Sequence, residues 1–272
     1  RAAKNCPYAL SYLQARSIVM RFTINGACAS DTGKIRNNNE DNFFFCGTHL
    51  PALHSGTNKS RHFEVTLRRR EIMAVFDGMG GENFGEEASH AAALRLCRVR
   101  NSLLTLIYPH TEFLSRSIIE MNQAVVEKKR EFYTEQMGTT FVMASFERNA
   151  VWICNLGDSR GYLLRNRELK QISVDHVEKF TGQRSRKAPL TQYLGIDPEE
   201  LCIEPYMERV ELIQGDRLLL CSDGLTDMLT DLEITAVMLE HDASYACVQA
   251  LIDAALANGG RDNITVIVVS IR

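Results

Sequence analysis

The stretch AVFDGMGG, residues 74–81, ends an apolar run on one aspartate, and three of the next four residues are glycine. The apolar run predicts a buried strand, so a charged residue at its end needs an explanation. One explanation is a tight turn, because an Asp-Gly pair favours a hairpin corner. The other is a cation site, because Asp77 and a flexible backbone can offer carboxylate and carbonyl oxygens to a hard metal ion. The stretch alone leaves both open.

The size and charge of the chain limit the classes of protein to which it can belong. A length of 272 residues is enough for one domain with a sizeable core, and 45% hydrophobic with 24% charged residues is typical of an ordered globular protein. The net charge is -3 and no run of Lys and Arg is longer than the RRR at 68–70, so we expect no nucleic-acid partner. No apolar stretch approaches the roughly 18 residues of a membrane-spanning helix.

The cysteines indicate the cellular compartment, and the first residues indicate where the folded domain begins. None of the eight cysteines forms a C-x-x-C pair, and Cys154 and Cys221 lie inside apolar runs, which favours a reducing cytoplasm. Residues 1–19 share no pattern with the rest of the chain, and Met20 could be the natural start. We therefore expect residues 1–19 to be a leader outside the fold, with a weak native amphipathic segment as the alternative, and residues 20–272 to form a single domain.

The pattern of apolar residues predicts a mixture of strands and helices. Antiparallel pairing is indicated by the very short connections in FERNAVW and SRGYLLRNRELK. Two consecutive helical patterns, 85–107 and 112–132, suggest a helical hairpin that covers a sheet, and a third pattern includes Val248 and Leu251. Residues 173–208 are polar without periodicity and indicate a long excursion beside the sheet. The predicted strands are 43–46, 72–76, 141–146, 151–154, 161–164, 218–221 and 264–269.

Four aspartates stand at the ends of these apolar runs. Asp77, Asp158 and Asp223 each follow a predicted strand, whereas Asp262 stands just before the last one. If the last strand is antiparallel to the others, the four carboxylates meet at one edge of the sheets. Each alone is more often a turn or cap residue. Together they would repel one another unless protons or cations compensate, and an all-oxygen set selects Mg²⁺ or Mn²⁺ over zinc.

A second polar group lies upstream, in the segment DTGKIRNNNEDNF. Arg36 and Glu40 could be an ion pair on a helix surface, but three consecutive asparagines make a helix there unfavourable. Arg36 beside a metal cluster has another use, because its planar guanidinium matches a phosphate group with two parallel hydrogen bonds. Glu40 and the adjacent Asp41 add two more carboxylates.

An ordered set of motifs carries a family resemblance over residues 21–270. The motifs are SDTGKIRNNNEDN, VFDGMGG, GTT, NLGDSRGYL, VDH, LTQYLG, GDRLLLCSDGLTDML and GGRDNITVIVV. In this order they resemble the metal-dependent Ser/Thr phosphatases of the protein phosphatase 2C family, most closely its bacterial branch. The resemblance implies an α+β fold, an α-β-β-α sandwich of two antiparallel sheets flanked by helices, with the metal site at one end.

The resemblance also implies the first metal site. Asp77 matches the family's bridging aspartate, and the carbonyl oxygen of Gly78 is a further ligand. Asp223 and Asp262 match the residues that hold the first ion together with Asp77. On this basis Arg36, Asp77 and Asp223 are expected to be catalytic.

The same resemblance implies roles for the remaining site residues. Glu40 is expected to face the second ion through water, with Asp41 in its outer shell. Asp158 matches the ligand of a weaker third ion, shared with Asp223, and Arg36 matches the arginine that holds the substrate phosphate. The cofactors expected are therefore two core Mn²⁺ or Mg²⁺ ions and a weaker third.

The function implied is hydrolysis of phosphoserine and phosphothreonine in proteins by attack of a metal-activated water. Phosphorylated proteins, including substrates of a Ser/Thr kinase and the kinase itself, are the expected partners of a cytoplasmic monomer. Residues 175–205 match the family's flap beside the cleft. His176 is either a general acid or a structural residue. The alternative function is a weak or inactive module with the same fold that regulates a signalling partner.

Overall fold

The computed structural model describes residues 22–57, 59–66, 70–79, 84–178 and 188–272, and the expected leader at 1–19 lies outside them. These residues form two antiparallel β-sheets with helices on both outer sides. The elements in chain order are β1 (Thr23–Asp31), β2 (Asp41–Phe44), β3 (Arg61–Thr66), β4 (Glu71–Met79), α1 (Gly85–Arg100), α2 (Leu104–Ile107), α3 (His110–Glu131), β5 (Gly138–Thr139), β6 (Phe141–Phe146), β7 (Ala150–Leu156), β8 (Arg160–Arg165), β9 (Glu168–Gln171), β10 (Tyr206–Glu211), β11 (Arg217–Cys221), α4 (Asp223–Thr226), α5 (Asp231–Glu240), α6 (Ser244–Ala257) and β12 (Ile264–Ile271).

The two sheets have different strand orders but the same antiparallel pairing. The first runs β3-β1-β12-β11-β8-β9 and the second β10-β7-β6-β4-β2, with the short β5 added beside β4. The pairs β6–β7 and β8–β9 arise from the short connections that the sequence indicated. The prediction of a sandwich of two antiparallel sheets flanked by helices is confirmed.

The continuous apolar runs are explained by sheets that are covered on both faces. In β12, Ile267 and Val269 pack between the two sheets, whereas Val266 and Val268 pack under the helices of the first sheet. Successive side chains of a strand point to opposite faces, so both sets must be apolar when neither face meets water.

Helices cover the outer face of each sheet. α1 and α3 form the expected hairpin on the second sheet, and the face of α3 that includes Leu114, Ile118 and Met121 is fully buried there. The first helical pattern, predicted at 85–107, is interrupted, because α1 ends at Arg100 and a turn separates it from the short α2. α5 and α6 cover the first sheet.

The excursion between β9 and β10 contains no helix and no extended strand among its described residues. Isolated bridges tie it to the body of the protein at Leu194 and to itself at Val177 and Leu190. It ends earlier than the predicted 208, since β10 begins at Tyr206. No helix in the described ranges has the length and apolar character needed to cross a membrane.

Candidate active site

Most of the residues predicted for the site line one cavity of about 310 Å³. The antiparallel pairing of β11 with β12 brings Asp223, just after β11, to the end where Asp262 precedes β12. The site residues that line the cavity are Arg36, Glu40, Asp77, Gly78, Asp158, Asp223 and Asp262, together with Met79, Thr140, Ala188 and Leu190. The structure thus gathers these residues, and their roles as ligands stay predictions.

Asp77 lies within a strand rather than after one, which corrects the sequence interpretation. β4 continues to Met79, and its last two residues pair with β5. The backbone carbonyl of Asp77 accepts hydrogen bonds from the Thr140 amide and the Thr139 hydroxyl, both at 2.9 Å. The backbone at Asp77 is therefore held from the neighbouring strand while its side chain faces the cavity.

Residue 78 must be glycine because the backbones of two other segments approach it closely. A Cβ at this position would lie 2.1 Å from the carbonyl oxygen of Gly85 and 2.5 Å from that of Glu40. The Gly78 amide donates to the same Glu40 carbonyl at 3.1 Å. A side chain at residue 78 would push the loop that carries Glu40 away from β4, so glycine is needed here for the shape of the site.

Asp41 lies beneath the cavity and does not line it. It pairs directly with Asp77 across β2 and β4, and only 1% of it is exposed. Its carboxylate accepts a hydrogen bond of 2.7 Å from the Ser222 hydroxyl. Burial raises the pKa of the Asp41 carboxyl to about 7. This position fits the expected outer-shell role better than direct metal contact.

Arg36 and Asp262 form an ion pair of 2.7 Å at the rim of the cavity, with 48% and 29% of their side chains exposed. The hydrogen bond to Asp262 raises the pKa of the Arg36 guanidinium. A phosphate dianion could accept hydrogen bonds from this exposed guanidinium and also bind a cation that the carboxylates hold.

Glu40 is in an environment that disfavours its own negative charge. Burial raises the pKa of its carboxyl, and the nearby Glu86 raises it further. Gly85 allows this carboxyl to pack against the start of α1, where a Cβ would lie 2.9 Å from Glu40 Oε2. Crowded carboxylates of this kind are stabilised by a bound cation.

Asn263 is a site residue that sequence reasoning missed. Its side-chain amide donates to the carbonyls of Thr32 and Asn38 at 2.8 and 2.9 Å, and its Oδ1 accepts from the Glu40 amide at 2.8 Å. Only 4% of it is exposed. Three bonds therefore fix the loop of Arg36 and Glu40 to the start of β12. The N in the motif RDN was the available signal.

Asp158 is held at a tight turn beside Thr140. Gly157 has a φ of +96°, and a Cβ there would lie 2.6 Å from the Thr140 side chain. The hydroxyls of Thr140 and Ser159 are 2.6 Å apart. His176, the general-acid candidate, does not line the cavity, and its backbone amide donates to the Gly157 carbonyl at 2.9 Å.

The donor set fits a hard divalent cation, because it consists of carboxylates and a backbone carbonyl and contains no thiolate or imidazole. As the side chains stand, no three acidic, histidine or cysteine residues of the described ranges converge closely enough to hold one ion. One oxygen of Asp262 is instead bound to Arg36.

Comparison with known proteins agrees with the fold. The sequence model of the family described as Protein phosphatase 2C matches residues 55–257. The chain is 34% identical over 256 residues to the serine/threonine phosphatase stp of Listeria monocytogenes, a match that covers 88% of this chain and 93% of the relative. It is 30% identical over 267 residues to the serine/threonine protein phosphatase PstP of Mycobacterium tuberculosis, covering 94% of this chain and 46% of the relative.

Solved structures give the same result. The crystal structure of the M. tuberculosis phosphatase PstP/Ppp superimposes with a TM-score of 0.74 at 29% identity, covering 91% of this chain and 98% of that one. The catalytic domain of PstP in complex with two manganese ions superimposes with a TM-score of 0.72 at 30% identity, covering 92% and 99%.

Proposed function

The chain belongs to the protein phosphatase 2C family, and we propose that it is a metal-dependent phosphatase that removes phosphate from phosphoserine and phosphothreonine in proteins. The observation that carries this proposal is the cavity that five carboxylates and Arg36 line together. Such a cavity can hold divalent cations and a phosphate group side by side. The relatives from Listeria and Mycobacterium, both serine/threonine phosphatases, support the substrate class.

The carboxylates would divide among three ions. Asp77, Asp223 and Asp262 would hold the first ion, with Asp77 shared by the second and the Gly78 carbonyl as a further ligand. Glu40 would face the second ion, backed by the buried Asp41. Asp158 with Asp223 would hold a weaker third ion. The relative with two manganese ions supports Mn²⁺, and the all-oxygen donor set also suits Mg²⁺.

The bound ions would supply charge neutralisation and a nucleophilic water at neutral pH. The protein's own residues orient the substrate. Arg36 binds two phosphate oxygens through its guanidinium and leaves Asp262 as it does so. Asn263 keeps Arg36 and Glu40 in place, while the bonds from Thr139 and Thr140 to the Asp77 carbonyl hold the end of β4 against these two residues.

Location, partners and boundaries are also proposed. The seven described cysteines form no disulfide, which supports a reducing cytoplasm. We propose that the partners are proteins phosphorylated by a Ser/Thr kinase and the kinase itself, that the protein signals as a monomer, and that residues 20–272 are the catalytic domain with a flap at 175–205.

The test is release of inorganic phosphate from phosphoserine and phosphothreonine peptides in the presence of Mn²⁺. We expect turnover that stops when EDTA removes the metal and returns when Mn²⁺ is restored. Tight peptide binding without phosphate release would instead identify the regulatory module.

A further inference from the structure

We propose that Arg160 is a positioning residue that fixes one wall of the cavity and thereby sets how well a phosphorylated peptide binds. Arg160 does not line the cavity. It acts through Asp175, at the start of the excursion, and the inference rests on the proposed phosphatase function.

The pair of Arg160 and Asp175 has the geometry of a rigid clamp. Arg160 Nε lies 3.1 and 3.0 Å from the two carboxylate oxygens of Asp175, and Nη2 lies 2.7 Å from Oδ2. Gln171 donates to the same carboxylate at 2.7 Å. Arg160 is itself held, because its Nη1 donates to the Tyr162 hydroxyl, which in turn donates to Asp231. Two parallel bonds to one carboxylate fix direction as well as distance.

Backbone pairing connects Asp175 to the cavity wall. The amide of Thr191 donates to the His176 carbonyl at 2.9 Å, and that of Glu178 donates to the Pro189 carbonyl at 3.0 Å. Val177 and Leu190 form the bridge between these two bonds. Residues 189–191 therefore take their position from 176–178, which begin directly after the clamped Asp175.

The part of the wall placed in this way is apolar. Ala188 and Leu190 line the same cavity as the carboxylates and Arg36. A small phosphate ester needs only the cations and Arg36, whereas a peptide also has residues on each side of the phosphorylated one. Loss of the clamp should therefore weaken the binding of peptides more than the binding of small esters, because a wall displaced by about an ångström loses its contacts with the peptide.

A purely structural role of Arg160 would predict a different result. The same strand, β8, carries a matched ion pair at its other end, where Arg165 meets Asp216 at 2.7 and 2.6 Å. The two arginines are equally exposed, at 31% and 33%. Asp216 lies between β10 and β11, away from the excursion. Arg165→Gln is thus the control for loss of an arginine clamp from this strand.

The experiment compares kcat/KM for a phosphothreonine peptide with kcat/KM for p-nitrophenyl phosphate, both with Mn²⁺. In Arg160→Gln we expect the ratio of the two constants to fall by about tenfold, mainly through a higher KM for the peptide. Asp175→Asn should lower the ratio equally, and the double variant should be no worse than either, since both remove one interaction. Arg160→Lys keeps the positive charge but not the planar guanidinium, so its ratio should lie between the ratios of the parent and of Arg160→Gln.

Hydrogen exchange provides a second measurement that does not depend on activity. The amides of residues 176–178 and of Leu190 and Thr191 should exchange faster in Arg160→Gln than in Arg165→Gln. An unchanged ratio in folded Arg160→Gln, or an equal drop in Arg165→Gln, would overturn the proposal. If the parent protein hydrolyses neither compound, the phosphatase function has failed rather than the role of Arg160.

Discussion

Arg36 and Asp262 lie 226 positions apart in the sequence, yet their side chains meet in an ion pair of 2.7 Å. The pair joins the proposed phosphate-binding arginine to a proposed metal ligand. Binding of a cation to Asp262 and binding of phosphate to Arg36 would each break it, so each event should favour the other. About half of the Arg36 side chain is exposed, so the pair itself contributes little to folding.

Arg36→Ala is expected to impair substrate binding without unfolding the protein. KM for a phosphopeptide should rise by about tenfold because the phosphate loses two hydrogen bonds. The melting temperature should change by no more than about 2 °C, since an exposed ion pair is worth at most about 1 kcal/mol. Steady-state kinetics and calorimetry check both. A large fall in melting temperature with an unchanged KM would show that Arg36 supports the fold instead.

Asn263→Ala is expected to loosen the loop that carries Arg36 and Glu40. Loss of three buried hydrogen bonds should destabilise the fold by about 2–4 kcal/mol. Mn²⁺ affinity, measured by titration calorimetry, should weaken by about tenfold, because groups that orient metal ligands have effects of this size. Asn258→Ala, which loses exposed contacts with Met228 and Glu233, is the control and should bind Mn²⁺ like the parent. Equal affinities in both variants would remove Asn263 from the site.

Asp158→Ala is expected to remove the proposed third ion and to leave the first two bound. Two Mn²⁺ ions should still bind with high occupancy, while phosphopeptide turnover slows by roughly tenfold, a barrier change of about 1.4 kcal/mol. Calorimetric metal counting and kinetics on one preparation provide the answer. If Asp158 is only a turn residue, the variant will lose stability and keep its turnover rate.

His110, which lies remote from the cavity residues, should make the stability of the fold depend on pH. It packs on Trp152, contacts Ser145, and faces Glu147, Arg70 and Arg209. Burial, and next to it the positive charge of the nearby Arg70, lowers the pKa of His110 to about 4. An unfolded histidine titrates near 6.5, so the unfolded state binds the proton first.

The neutral form of His110 therefore contributes stability that is present above about pH 6.5 and is lost as pH falls toward 4. Thermal melts between pH 7 and pH 4 should show a smaller loss of melting temperature in His110→Gln than in the parent. Identical pH profiles would mean that His110 does not control this dependence.

Much of the fold was visible in the sequence because both faces of each sheet are covered. The run ITVIVVSI is apolar throughout for that reason, and α3 shows one clear apolar face. β1 was missed because Asn25, Gly26 and Ser30 interrupt its apolar pattern. α5 was also missed, although Thr230 and Glu233 form the capping box that marks its start.

The site was predictable where function depends on the type of residue and not where it depends on distant contacts. The aspartates stood out as charges at the ends of apolar runs. Asn263 and Arg160 did not, since their partners lie far away in the sequence or in a segment without a periodic pattern. The end of β4 was misplaced because its pairing with Thr139 cannot be read from Asp77 itself.

The most direct test of the account is phosphate release by Asp77→Asn over a wide range of Mn²⁺ concentrations. The substitution keeps the size of the side chain and the backbone bonds at the Asp77 carbonyl, so the variant should melt like the parent. We expect no detectable turnover of a phosphopeptide at any Mn²⁺ concentration, because the two core ions are no longer held together. A folded Asp77→Asn protein that releases phosphate at the rate of the parent would contradict the assignment of this cavity as the metal-dependent active site.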